Sequence, residues 1–220
     1  MLQDVAQSST ARLREVRGYL DLITRLLDVH PPSVQLPVVS AKGLFFVHLY
    51  GVYEFTIVSA LRRTLQIISE AGVRHVDCQP ALLSLAFDAE CESLASAGKF
   101  TKWTKRRALF DRVRSTDLIV IKDSLVPTDG RNCRYTHLDG IWKSLHIRET
   151  VLPRMELRGR IEELVEKRNA IAHGQESPSS VGSRFTLSEL DDRYNAISEV
   201  CTYIVETFDS YLKNRHYLVQ

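Results

Sequence analysis

Cysteine is scarce and scattered in this chain. The four residues, Cys78, Cys91, Cys133 and Cys201, form no Cys-x-x-Cys pair, and no secretory leader pattern opens the sequence. They read as reduced thiols of a cytoplasmic protein, which excludes a disulfide framework or a zinc ribbon. An excess of charge of one sign is lacking too. The formal net charge is +2, so no global field draws in a polyanion, and any basic site must be local. Familiar catalytic signatures are missing: there is no Gly-rich phosphate loop, no His-Glu-x-x-His, no Gly-x-Ser-x-Gly and no carboxylate cluster at metal spacing. Neither a cofactor nor a metal is therefore expected. No internal repeat or low-complexity tract occurs, and 44% hydrophobic residues are ample for a real core, which excludes a disordered chain.

What is present is helical periodicity. Leu13, Val16, Leu20, Ile23 and Leu27 predict a helix over residues 11–28, with Pro31, Pro32 and Pro37 breaking it and 29–41 as a connection. A long apolar helix is expected over 43–71, closed by Ala71-Gly72, then a helix from Pro80 to about Gly98. Residues 99–114 are basic. Leu118 to Ile121 is too short to arbitrate between strand and buried helix, and Pro127 to Arg134 reads as loop. Thr136-x-x-Asp139 resembles a helix start leading into Ile141, Trp142 and Leu145. A further helix is expected from Pro153 to Gly174, a flexible loop over 175–185, and a last helix opened by the capping box Thr186-x-x-Glu189. Lys213 to His216 reads as a polar tail. The pattern predicts an all-α bundle of about five to seven helices in a single domain spanning 1–220.

Gly43 to Leu61 is long enough to span a bilayer, flanked by Lys42 and by Arg62-Arg63. His48 and Glu54 lie near its middle, and an ionised Glu there costs roughly 2.5–3.5 kcal/mol even on a lenient scale. A helix buried on all sides of a soluble bundle, with no membrane partner, accounts for it better.

Three constellations stand out. Leu157, Ile161 and Leu164 mark the buried stripe of the 153–174 helix, and its next step is Arg168, a permanent charge aimed inward or at a partner. Asn169 and His173, four apart, share a face, whereas Arg168 and His173 are about 140° apart on an ideal helix. A self-contained pair is awkward, and a site completed by a second chain more natural. Glu54, in the most apolar helix, needs a cation; Arg168 is the obvious candidate, as a structural ion pair or as a support that positions Arg168. In 99–114, Lys99, Lys102 and Arg106 share a helix face. They can grip a phosphate backbone while Trp103 stacks a base, or they form a solvated face with Trp103 and Phe110 in the core. His137 and His146, nine apart and without Cys or acid partners, read as surface or partly packed side chains.

The stretch Leu164-Val165-Glu166-Lys167-Arg168-Asn169-Ala170-Ile171-Ala172-His173-Gly174 resembles the signature of the HEPN superfamily (higher eukaryotes and prokaryotes nucleotide-binding): Arg, four to six residues, then His, often with Asn after the Arg. His48 to Phe55, with its aromatic-then-Glu pattern, and Asn132 to Ile147 resemble further segments of the nuclease-like branch of bacterial defence and toxin proteins. The resemblance implies a helical bundle that forms a homodimer, with two Arg/His motifs meeting in a cleft. It implies a metal-independent endoribonuclease acting on an RNA substrate, with an antitoxin or another defence-system protein as partner. Arg168, Asn169 and His173 are then the catalytic residues. The alternative it leaves open is a catalytically inactive HEPN module that binds RNA, a nucleotide or a protein partner.

Overall fold

In the computed structural model, residues 1–29, 35–122, 124–125 and 132–219 are described. Among them run nine α-helices: α1 (Gln3–Val29), α2 (Gln35–Glu70), α3 (Pro80–Ala86), α4 (Asp88–Ala95), α5 (Lys99–Val113), α6 (Tyr135–Leu145), α7 (Leu157–Ala172), α8 (Pro178–Gly182) and α9 (Leu187–Lys213). The all-α expectation holds. Pro31 and Pro32, and most of the expected 127–134 loop, lie outside the described residues.

Helix α2 is the axis of the bundle, packed against α1, α7, α8 and α9. Phe45, Phe46, Leu49, Tyr50, Tyr53, Ile57, Leu61, Leu65 and Ile68 are buried along it. By length and composition it is the one described helix able to cross a membrane, but these apolar side chains face its neighbours. It is not enclosed on every side: Leu44, Gly51, Arg62 and Gln66 form an exposed strip at helical spacing. It also starts earlier than Pro37 suggests. Pro37 falls in the first turn, where backbone N–H groups have no intrahelical acceptor, so the missing donor costs nothing there.

Several other expectations need correction. The helix expected over 80–98 is two, broken at Phe87, whose ring is buried against His75 at 5.0 Å. The 175–185 segment is no flexible loop: Ser177 caps α8 by accepting from the Ser180 N–H at 3.1 Å, Pro178 opens it, and α8 lies on α2. That approach requires glycine on both sides, because a Cβ on Gly43 would stand 2.0 Å from the Pro178 carbonyl oxygen and one on Gly182 1.9 Å from that of Val39. Helix α7 starts at Leu157, not Pro153. The preceding turn runs along α9, where Leu152 is buried and Arg154 pairs with Glu199.

Residues 117–121 settle as extended chain, with Ile119 and Ile121 inward and Leu118 and Val120 outward. Lys213, Asn214 and Arg215 of the expected polar tail are exposed, and the chain just after the tail folds back: Tyr217 is buried and its carbonyl accepts from the Gln79 N–H. The capping box at Thr186 and Glu189 forms as expected. Helix α6 starts at Tyr135, and His137 serves its cap by accepting from the Arg134 N–H at 3.1 Å.

Candidate functional site

Helix α7 buries Leu157, Ile161, Leu164 and Val165, so the stripe that carries them points Arg168 inward as well. Arg168 is half-buried, with its guanidinium carbon 4.3 Å from the centre of the Tyr50 ring on α2. Stacking on an aromatic face both orients a planar cation and partly desolvates it. One guanidinium nitrogen donates to Asn169 Oδ1 at 2.7 Å, and Asn169 Nδ2 donates to Asn132 Oδ1. The Asn169 amide is therefore engaged at both ends.

The three residues after Asn132 anchor it. The Cys133 N–H donates to the Tyr50 hydroxyl at 3.0 Å, Arg134 pairs with Glu162 of α7, and the Tyr135 N–H donates to the same carboxylate at 3.3 Å. The Tyr50 hydroxyl in turn donates to Glu54 Oε1 at 3.1 Å. Burial, with the nearby Glu54 carboxylate, raises the pKa of this phenol far above its ordinary value, so it stays protonated and keeps its donor role. Burial likewise pushes the Cys133 thiol up to about 12, which leaves it unreactive at neutral pH.

One expectation changes here. Glu54 does not pair directly with Arg168 among the described residues. Tyr50 stands between them, bonded to one through its hydroxyl and covered by the other on its ring. Glu54 is half-buried, which lowers its need for a cation. Asn169 shares the His173 face, yet its amide bonds Arg168 and Asn132 and not the His173 ring. His173 closes α7, with its N–H donating to the Asn169 carbonyl at 2.9 Å and Gly174 continuing the chain at φ +67°. Its imidazole is exposed and has no hydrogen bond to Arg168 or Asn169. The site is thus one fixed polar cluster with an open His at the end of the same helix.

Sequence reasoning misses Tyr50 and Asn132 as site residues. Tyr50-x-x-x-Glu54 shares a helix face and signals the first. Asn132 carries no local signal, since its partner is distant in sequence. Lys99, Lys102 and Arg106 lie elsewhere, on α5, which packs on α4 and the turn at His75 and not among the principal neighbours of α7. Trp103 and Phe110 are not core residues, because Lys102, Lys105, Leu109 and Val113 form the half-buried inner face and turn both rings outward. Among the described residues no group of three or more His, Cys, Asp or Glu side chains is placed to hold a metal ion.

An all-α bundle with an Arg-Asn-x-x-x-His set on one inward helix defines the class. Comparison supplies the family: the sequence model described as HEPN_MAE_28990-like HEPN matches residues 1–217, and the chain belongs to that family. Membership makes it a nuclease-like, RNA-related module in general terms. No curated protein and no solved structure gives a significant match.

Proposed function

We propose that this chain is an endoribonuclease that works as a homodimer and needs no metal ion, with Arg168, Asn169 and His173 of both subunits lining one cleft. The observation that carries the reading is the division of labour on α7: Arg168 and Asn169 are locked in a polar cluster, while the His173 imidazole is exposed and has no hydrogen-bond partner among the described residues. RNA can be cut by its own 2′-hydroxyl. The O2′–P bond forms as the P–O5′ bond breaks, a base takes the 2′-hydroxyl proton, and an acid protonates the leaving 5′-oxygen. Histidine can do either at neutral pH, but one chain offers a single such His. His173 of the partner subunit supplies the other across a two-fold axis. Arg168 stabilises charge growing on the phosphate oxygens, with Glu54 and Tyr50 holding its position.

The likeness of the Arg168–Gly174 stretch to nucleases of bacterial defence and toxin systems supports a toxin or antiviral role, restrained by an antitoxin or another defence-system protein. The test is cleavage of RNA in EDTA with analysis of the ends. Cyclic phosphate and 5′-hydroxyl ends are expected, and equal cleavage by His173→Ala refutes the site. One observation favours a second reading, a non-catalytic binding module: the Asn169 amide is engaged at both ends within the chain. Tight RNA or protein binding without turnover across a wide RNA panel would establish it.

A further inference from the structure

Helix α5 carries a surface that the Arg/His site does not use. It buries no side chain fully. Its inner face is docked by polar contacts: Lys105 Nζ donates to the Ser93 carbonyl at 3.0 Å and Ser93 Oγ at 2.6 Å, Arg112 pairs with Glu90, and His75 Nδ1 lies 3.1 Å from the Arg112 carbonyl oxygen. The outer face is different. At 100° per residue, Lys99, Phe100, Trp103, Arg106, Arg107, Phe110 and Arg114 fall within an arc of about 120°. All seven are exposed, with Phe100 at 97%, Trp103 at 78% and Phe110 at 71%. Among the described residues Lys99, Arg106 and Arg114 have no acidic partner, and Arg107 has only the exposed Asp111 at 3.7 Å. Three bare rings on one arc are costly unless something covers them.

The chemistry selects what that is. A second copy of the same arc would bring like charges together. A membrane-surface helix separates its apolar face from its cationic one, but here rings and cations alternate: Trp103 and Phe110 stand about 10.5 Å apart along the axis with Arg106 and Arg107 between them. Alternating rings and cations fit a polyanion that also offers flat, unstacked bases. A duplex keeps its base faces stacked inside, and a single strand does not. We propose that the outer face of α5 is a stacking platform for single-stranded RNA, with Trp103 and Phe110 stacking bases and Lys99, Arg106 and Arg114 meeting phosphates. The choice of RNA over DNA rests on reading the Arg/His site as an RNA-cleaving one.

The test uses the full chain carrying His173→Ala, titrated with a 12-nucleotide oligouridylate, oligo-dT of equal length, an RNA duplex and anionic phosphatidylserine vesicles. Tryptophan fluorescence is a built-in reporter, because Trp103 is exposed and the other tryptophan, Trp142, is buried. The single strands are expected to quench it, and the duplex and the vesicles are not. Trp103→Ala, which removes the reporter and is therefore read by fluorescence polarisation of a labelled oligouridylate, should weaken binding about 5- to 150-fold. Lys99→Gln with Arg106→Gln should reduce the salt slope by about 1.4. Unchanged affinity in Trp103→Ala and Phe110→Ala overturns the platform, as does quenching by vesicles instead of strands, or loss of dimer in those variants. Binding of oligo-dT without oligouridylate overturns the RNA assignment. Binding of strands through α5 together with no RNA cleavage by the wild-type chain leaves the platform standing and removes the ribonuclease reading.

Discussion

The junction of α2, α6 and α7 and the outer face of α5 use the same pair of chemistries in opposite ways. In the junction an arginine lies on an aromatic ring inside the protein: Arg168 covers Tyr50, and both are tied to neighbours. On α5, arginines and rings alternate on the surface, and the rings are left bare by their own chain. The first arrangement fixes geometry before any ligand arrives, as a reacting group requires. The second can hold a partner of variable shape but cannot orient a reaction. Arg next to an aromatic residue in a sequence does not distinguish them; the inward stripe of the helix does.

The largest expected effect belongs to the junction. His173→Ala should lower RNA cleavage by about 10²- to 10⁴-fold while leaving the urea midpoint unchanged, because the imidazole is exposed and has no hydrogen-bond partner among the described residues. Equal cleavage would break the comparison at its centre. Tyr50→Phe should cost about 1–3 kcal/mol in urea unfolding, since it leaves the Cys133 N–H without an acceptor and removes the donor to Glu54. Phe100→Ser on α5 should stay within about 0.5 kcal/mol of the parent. A Tyr50→Phe variant as stable as the parent would mean that the cluster is no more ordered than α5. Thiol alkylation sharpens the contrast further. Under native conditions at neutral pH one of the four cysteines, the exposed Cys91 on α4, should react quickly. Burial pushes Cys133 and Cys201 up to about 12 and Cys78 up to about 11, so these stay protonated and shielded until the protein unfolds. Modification of Cys133 at the rate of Cys91 would contradict the closed junction.

The parts legible in the sequence are those governed by local rules. The apolar spacing of Leu157, Ile161 and Leu164 is enough to place Arg168 inward, and Thr186 and Glu189 declare their cap. Long-range partners are not legible. Asn132 meets Asn169 across thirty-seven residues of sequence, and nothing in its own neighbourhood announces that. Charge alone matches Glu54 to Arg168, but a ring and a hydroxyl make the connection, which charge counting does not foresee. The Ser177-Pro178 start of α8 is a readable cap and first-turn proline, masked by the surrounding serines and glycines. On α5, a basic helix is apparent. Which of its sides meets the body depends on α4, Glu90 and Ser93, and so the exposure of Trp103 does not follow from spacing alone.

The claim at the centre is that two chains share one site, each contributing its His173. It is tested most directly by refolding wild-type chains together with increasing proportions of His173→Ala chains and measuring RNA cleavage at constant total protein. A shared site predicts activity falling as the square of the wild-type fraction, because only pairs of intact chains cut. Activity falling in simple proportion to that fraction would contradict it, and would assign the whole reaction to a single chain.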